Sequence, residues 1–83
     1  MADWIDELAA TFGQLPLSPQ ESDLLLRTAR EVAHRTERKV TPLAAFLVGL
    51  EVAGHMTAGQ TREEAIGRAV ASVDDLLPAP EGG

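Results

Sequence analysis

Hydrophobic residues recur along the chain every three to four positions, the helical period, in four separate segments. In the first segment Trp4, Leu8 and Phe12 follow one another at steps of four, with Ile5 beside them. Gly13 is predicted to end this helix. No segment shows the strict alternation of a half-buried strand, and no internal repeat is present. The pattern predicts four helices, at about residues 3–12, 19–38, 42–56 and 62–77.

Residues that start and stop helices stand at the edges of these segments. Residues 18–21 (SPQE) and 61–64 (TREE) both have the spacing of a capping box, in which a hydroxyl and a carboxylate satisfy free N–H groups. Thr41-Pro42 repeats the start signal so soon after the second helix that the third helix must fold back as its neighbour. Either Gly54 or Gly59 is predicted to end the third helix.

The length and composition of the chain place these helices in one domain. A chain of 83 residues, of which 45% are hydrophobic, is long enough to bury one small core and too apolar to be disordered throughout. We therefore expect an all-α fold, a compact four-helix domain with orthogonal or bundle-like packing over residues 1–77. Residues 78–83 are predicted to be a flexible tail.

The third predicted helix is apolar around most of its circumference. At 100° per residue, Glu51, Ala44 and His55 share one narrow strip, and the apolar arc covers about 260°. The bulky part of this arc is formed by Leu43, Phe46, Leu47 and Leu50. Two interpretations stay open: the other helices enclose this helix as the core, or one face stays bare and binds a second subunit or another protein.

Small residues recur along one side of the same helix. Ala45, Gly49 and Ala53 stand at i, i+4 and i+8, a spacing that lets two helix backbones approach closely. Val52 and Met56 complete the set. These five residues are the predicted interface with a protein partner or with a second copy of the chain.

Charge is distributed unevenly. The formal net charge of −6 argues against general nucleic-acid binding, but the segment 27–39 is basic. His34, Arg35, Arg38 and Lys39 precede the predicted N-terminus of the third helix, where free N–H groups attract anions. This arrangement predicts a site for a phosphate or a nucleotide-like anion. The alternative is that the basic residues only complement the dipole of the second helix.

Several kinds of chemistry are excluded or disfavoured. The absence of Cys excludes disulfides and thiolate nucleophiles, and the only histidines, His34 and His55, lack metal-binding spacing. No nucleophile motif and no Gly-rich nucleotide loop is present. We expect no catalytic residue, no metal and no cofactor. The acidic N-terminus is unlike a signal peptide, and the run Leu43 to Leu50 is shorter than the roughly 20 residues of a membrane span. A cytoplasmic location without a membrane partner follows as the expectation.

A longer pattern runs from Ala33 to Gly49: Ala-His-x-x-x-Arg-x-x-x-Pro-Leu-x-x-Phe-Leu-x-Gly. Together with Asp3-Trp4-Ile5 and the segment from Leu25, it resembles a family of short actinobacterial helical proteins without an assigned activity. Similar segments occur appended to a molybdenum cofactor guanylyltransferase. The resemblance implies an accessory role in molybdopterin guanine dinucleotide synthesis, with that enzyme as a partner, and it implies no catalytic residue.

Two functions follow from the sequence. The first is a non-catalytic helical accessory module that binds another protein, through the five predicted interface residues on the third helix. The second is a small domain that binds an anionic ligand through the basic cluster at residues 34–39.

Overall fold

The computed structural model describes residues 3–79 of the chain, and within them it is all-α. The helices are α1 (Trp4–Thr11), α2 (Pro19–Arg35), α3 (Thr41–Thr57) and α4 (Arg62–Leu76). A single 3₁₀ turn, Arg38–Val40, leads into α3. The predicted all-α, four-helix single domain is confirmed. Met1, Ala2 and most of the predicted tail, residues 80–83, lie outside the described residues.

The two predicted capping boxes start α2 and α4. The Ser18 hydroxyl accepts a hydrogen bond from the Glu21 N–H, and the Glu21 carboxylate accepts one from the Ser18 N–H in return. Thr61 and Glu64 form the same pair at the start of α4. Each box satisfies two N–H groups that have no partner within the helix, which explains why the helices begin at these residues.

Glycine ends α1 and α3 in the same way. Gly13 has φ +69° and Gly59 has φ +103°, the left-handed region that glycine adopts without a steric penalty. In both cases the next residue donates its N–H to a carbonyl five positions back, Gln14 to Ala9 and Gln60 to His55. This is the Schellman arrangement. Of the two glycines predicted to stop α3, the later one does so.

The junction between α2 and α3 differs from the prediction. Helix α2 ends at Arg35 instead of near residue 38, because Thr36 leaves the helical conformation while its hydroxyl donates to the Val32 carbonyl at 2.6 Å. The Thr41 side chain was expected to cap α3. It forms no cap hydrogen bond, since the 3₁₀ turn runs directly into the helix and Val40 occupies the cap position.

The core of the described domain is built around α4, against which α2 and α3 pack. Four apolar residues in the first half of α4 are buried. The buried apolar side chains are Val32, Ala65, Ile66, Ala69 and Val70. The small Ala65 and Ala69 allow the neighbouring helices to approach α4 closely.

Helix α3 is not the enclosed helix, so the interpretation that the other helices surround it is wrong. None of its residues is buried. A principal reason is that α1 does not pack on it: no Cα atom of α1 lies within 8 Å of a Cα atom of another helix. Of the other helices, only α2 and α4 contact α3, and they cover only one side of it.

Candidate functional site

The side of α3 that points away from α2 and α4 is a continuous apolar surface. Leu43, Phe46, Leu47 and Leu50 are between 57% and 67% exposed on it, and at 100° per residue they fall within an arc of about 100°. Glu51, on the helix's polar strip, lies outside this arc. Isolated exposed leucines are common on protein surfaces, but four contiguous large side chains mark a binding surface. We call these four residues the outer face of α3.

The five residues predicted as an interface fall on two neighbouring surfaces. Ala45, Gly49 and Val52 line a groove between α3 and α2, where Val52 is half-buried and the other two are exposed. Ala53 and Met56 are exposed on α3 but do not line the groove. The role of these five residues as an interface with a partner or a second copy stays a prediction. A Cβ atom built at Gly49 would meet no other atom within 4 Å.

The groove itself is an open apolar concavity of about 300 Å³. It is lined by Leu17, Leu25, Thr28, Ala29, Thr41, Ala45, Val48, Gly49, Val52, Arg62 and Ile66. The hydroxyl of Thr41 is buried there and has no hydrogen-bond partner among the described residues.

At one end of the groove, Arg62 fastens the α1–α2 linker to the domain. Its guanidinium donates to the Leu15 carbonyl at 2.8 Å and to the Pro16 carbonyl at 2.7 Å. It also donates to both carboxylate oxygens of Glu21, at 2.8 and 3.0 Å. Glu21 is only 7% exposed, so this is a buried, bidentate ion pair.

This ion pair was missed by the sequence analysis, which assigned Glu21 only to the capping box. The two residues are 41 positions apart, and no local pattern joins them. The one available signal was the charge itself, since Arg62 is a basic residue in the first turn of a helix, where acidic residues are favoured. A basic residue in the first turn is disfavoured by the helix dipole, so an acidic partner from another part of the chain would compensate for it.

The ion pair also displaces the pKa values of its members. Hydrogen bonds from Arg62 lower the pKa of the Glu21 carboxyl, outweighing the opposing effect of burial, and Glu21 in turn raises the pKa of Arg62. At the second capping box, the hydrogen bonds from Thr61 lower the pKa of Glu64. All three groups are thus engaged in holding the fold.

The predicted anion cluster does not converge on one point. Arg35 donates from Nε to the Pro78 carbonyl at 2.7 Å and lies 3.8 Å from Glu31, while Lys39 lies 3.7 Å from Glu37. His34 and Arg38 are exposed. Because α2 ends before Arg38, these two residues no longer share a helical face.

The start of α3 offers fewer free N–H groups than the anion hypothesis assumes. Val40 and Thr41 donate to the carbonyls of Glu37 and Arg38 in the preceding turn, and Pro42 has no N–H. Anion binding by the basic cluster stays a prediction that the structure does not test.

One stretch of the described chain, Arg38–Thr57, is long and apolar enough to cross a membrane when judged by length and mean hydropathy alone. The uninterrupted apolar run within it, Leu43 to Leu50, is shorter. The stretch includes two basic residues at its start and Glu51 within it, each costly to place inside a bilayer. The cytoplasmic location stays a prediction. Within residues 3–79, no three His, Cys, Asp or Glu side chains lie together as metal ligands.

Comparison with known proteins gives one match. A family model described as a domain of unknown function, DUF6457, covers residues 1–82. The chain belongs to the DUF6457 family. No curated protein and no solved structure matches the chain. The match agrees with the resemblance to a short uncharacterised family, but it gives no link to a molybdenum cofactor guanylyltransferase.

Proposed function

We propose that this DUF6457 protein is a non-catalytic helical module that binds another protein through α3. The observation that supports the proposal most strongly is the outer face of α3. Its four large apolar side chains are all more than half exposed although the helix lies in the middle of the sequence and belongs to the folded domain. Leaving such a face in water forgoes roughly 25 cal/mol for each Å² of apolar surface that a partner would bury.

The total surface area supports the same conclusion. The chain exposes 6,282 Å², whereas a folded monomer of 8.8 kDa is expected to expose about 4,800 Å². The excess is about 1,500 Å², more than the ~800 Å² that each partner contributes to a stable interface. The folded chain therefore has at least as much surplus surface as one interface would cover.

For the identity of the partner we propose a molybdenum cofactor guanylyltransferase, on the strength of the resemblance of residues 33–49. The role would be accessory: the module binds the enzyme or positions it, and supplies no reacting group. If the proposal is correct, the guanylyltransferase covers the outer face of α3 in the complex. Binding through polar contacts elsewhere on the chain would leave that face exposed.

The test is calorimetric titration of the purified chain into the purified guanylyltransferase. We expect saturable binding, and we expect Phe46→Ser with Leu47→Ser to weaken it at least about 30-fold, the effect of residues at an interface centre. Leu76→Ser is the matched control, because Leu76 is 86% exposed on α4, away from α3. No binding by the native chain would exclude this enzyme as the partner, and equal losses in both variants would exclude the outer face.

The alternative function, binding of a phosphate or a nucleotide-like anion by residues 34–39, is tested with the same protein. If the site exists, millimolar phosphate or GTP should raise the unfolding temperature of the native chain and leave that of Arg38→Ala unchanged. The reason is that a ligand stabilises only the state that binds it. Equal unfolding temperatures with and without these anions would leave the basic residues as partners of the α2 dipole.

A further inference from the structure

Helix α1 is amphipathic but packs on no other helix within residues 3–79. Trp4 and Phe12 are 69% and 68% exposed, and Ile5 is also exposed, all on one side of the helix. Helices of eight residues are unstable in water without packing against another element. The apolar stripe of α1 (Trp4, Ile5, Leu8 and Phe12) is therefore a surface that needs a binding site.

The linker that follows α1 is held by hydrogen bonds. The Schellman cap at Gly13 sets the turn that follows the helix, and Arg62 holds the next two carbonyls, those of Leu15 and Pro16. Leu17, the residue after them, already lines the groove. These contacts hold the residues between α1 and the groove, and among the described residues no Cα atom of α1 lies within 8 Å of a Cα atom of another helix.

The groove has the chemistry that the stripe requires. Its lining is apolar apart from two threonines and Arg62, and the guanidinium of Arg62 is already bound by Glu21 and two carbonyls. A volume of about 300 Å³ accommodates two or three large side chains rather than a whole helix. An apolar stripe laid across its mouth would fill it.

The charges of the two surfaces are also complementary. Residues 3–15 contain Asp3, Asp6 and Glu7 and no basic residue. On α2, Arg27 and Arg30 are exposed and form no ion pair within residues 3–79. Arg30 follows the groove-lining Ala29 and lies about 100° further around the helix, toward the side facing away from α4.

We propose that two copies of this chain associate by exchanging α1, each copy placing its apolar stripe in the groove of the other. The inference goes beyond the proposed function: it concerns α1 and the groove instead of the outer face of α3, and its partner is a second copy. The exchange is symmetric, so one contact is made twice, as in most homodimers. It uses surplus surface from α1 and from the groove, and it brings the acidic side of α1 toward the arginines of α2.

Trp4 makes the exchange measurable because it is the only tryptophan in the chain. Sedimentation velocity and Trp emission are recorded on the full chain over a concentration series. We expect a mass of twice 8.8 kDa at high concentration, together with a blue shift of the emission that follows the same concentration dependence. A monomer with solvent-exposed Trp emission at every concentration overturns the proposal.

Two variants block the two halves of the contact. Leu8→Glu places a charge in the stripe, and Gly49→Leu fills the groove without meeting any atom within 4 Å at its Cβ. Each is expected to raise the dimer dissociation constant at least about 30-fold while circular dichroism stays native. The matched controls are Ala10→Glu, on the opposite side of α1, and Gly54→Leu, on α3 outside the groove; both are expected to dimerise like the native chain.

Mixing the two blocked variants is the decisive arm. Leu8→Glu retains an intact groove and Gly49→Leu retains an intact α1, so the mixture regains one of the two exchange contacts and partly recovers dimers. A mixture that stays monomeric overturns the exchange. A blue-shifted Trp emission in a monomer, independent of concentration, overturns it in favour of α1 packing on its own chain. A native dimer with unshifted Trp emission also overturns it, but leaves the proposed function of α3 standing.

Discussion

At the scale of single residues, the fold depends on an ion pair that joins three parts of the chain. Arg62 begins α4, Glu21 belongs to the capping box of α2, and the carbonyls of Leu15 and Pro16 lie in the linker from α1. A buried carboxylate with a bidentate guanidinium partner is strongly coupled to it: removing one partner leaves the other charge without compensation, at a cost of about 3–5 kcal/mol.

This ion pair predicts a definite dependence of stability on pH. The pKa of Glu21 is lowered from its ordinary value of 4.5, so its contribution is complete above that value and is lost as the pH falls through the lower pKa of the folded state. Urea unfolding at about pH 7 and about pH 3 should show that the free energy of unfolding of the native chain decreases on acidification. The Glu21→Gln variant should be less stable than the native chain at pH 7, and its free energy of unfolding should decrease less between the two pH values.

Glu64 has a lowered pKa as well, so the native chain and Glu21→Gln share that part of the acid effect. The difference between them isolates Glu21. Identical losses of stability in the two proteins would show that the carboxylate of Glu21 is not preferentially stabilised in the folded state.

At the scale of helices, the starts were predictable because their signals are local. Ser18 with Glu21, and Thr61 with Glu64, are three residues apart, and the structure contains both reciprocal pairs. The end of α2 was not predictable in this way, because it depends on the conformation that Thr36 adopts as the chain turns toward α3. Hydrogen bonds between residues three positions apart can be predicted from the sequence, whereas the path of the chain between packed helices cannot.

The capping boxes give a stability prediction. Ser18→Ala and Thr61→Ala remove the hydroxyl that accepts the N–H of Glu21 or Glu64, and each should lower the free energy of unfolding by about 0.5–2 kcal/mol. Glycine at the same positions should cost only a few tenths of a kcal/mol. Chemical denaturation of the four variants measures the difference. Alanine variants as stable as the native chain would mean that these hydroxyls do not stabilise the helix starts.

At the scale of the whole molecule, the arrangement of helices could not be read from apolar content. The most apolar helix, α3, has no buried residue, while α4, with two buried alanines, forms the centre. Burial depends on which surfaces fit together, and Ala65 and Ala69 permit a closer approach than the bulky residues of α3. The sequence did predict that α3 is apolar around most of its circumference, but it left open whether the other helices or another protein cover it.

Dependence on helix packing also explains which parts of the candidate site could be predicted from the sequence. The basic cluster was expected from residues adjacent in sequence, but the turn at residues 38–40 and the bond from Arg35 to Pro78 separate its members. The apolar surface of α3 depends only on helical periodicity, which the structure preserves. The wide apolar arc of α3 was therefore within reach of the sequence. The groove, the exposure of the outer face and the Arg62 contacts were not, because they depend on how the helices pack.

The central claim is that another protein covers the outer face of α3, and crosslinking tests it most directly. A photoreactive benzoylphenylalanine replaces Phe46, a side chain of similar shape that is 67% exposed, and the full-length protein is irradiated in cells. The matched control carries the same residue at Glu63, which is exposed at the start of α4. Mass spectrometry identifies the crosslinked peptides. We predict that position 46 crosslinks to one defined protein, either a second copy or a distinct partner, and that position 63 does not. Absence of a crosslink at position 46, or the same products at both positions, would contradict the claim.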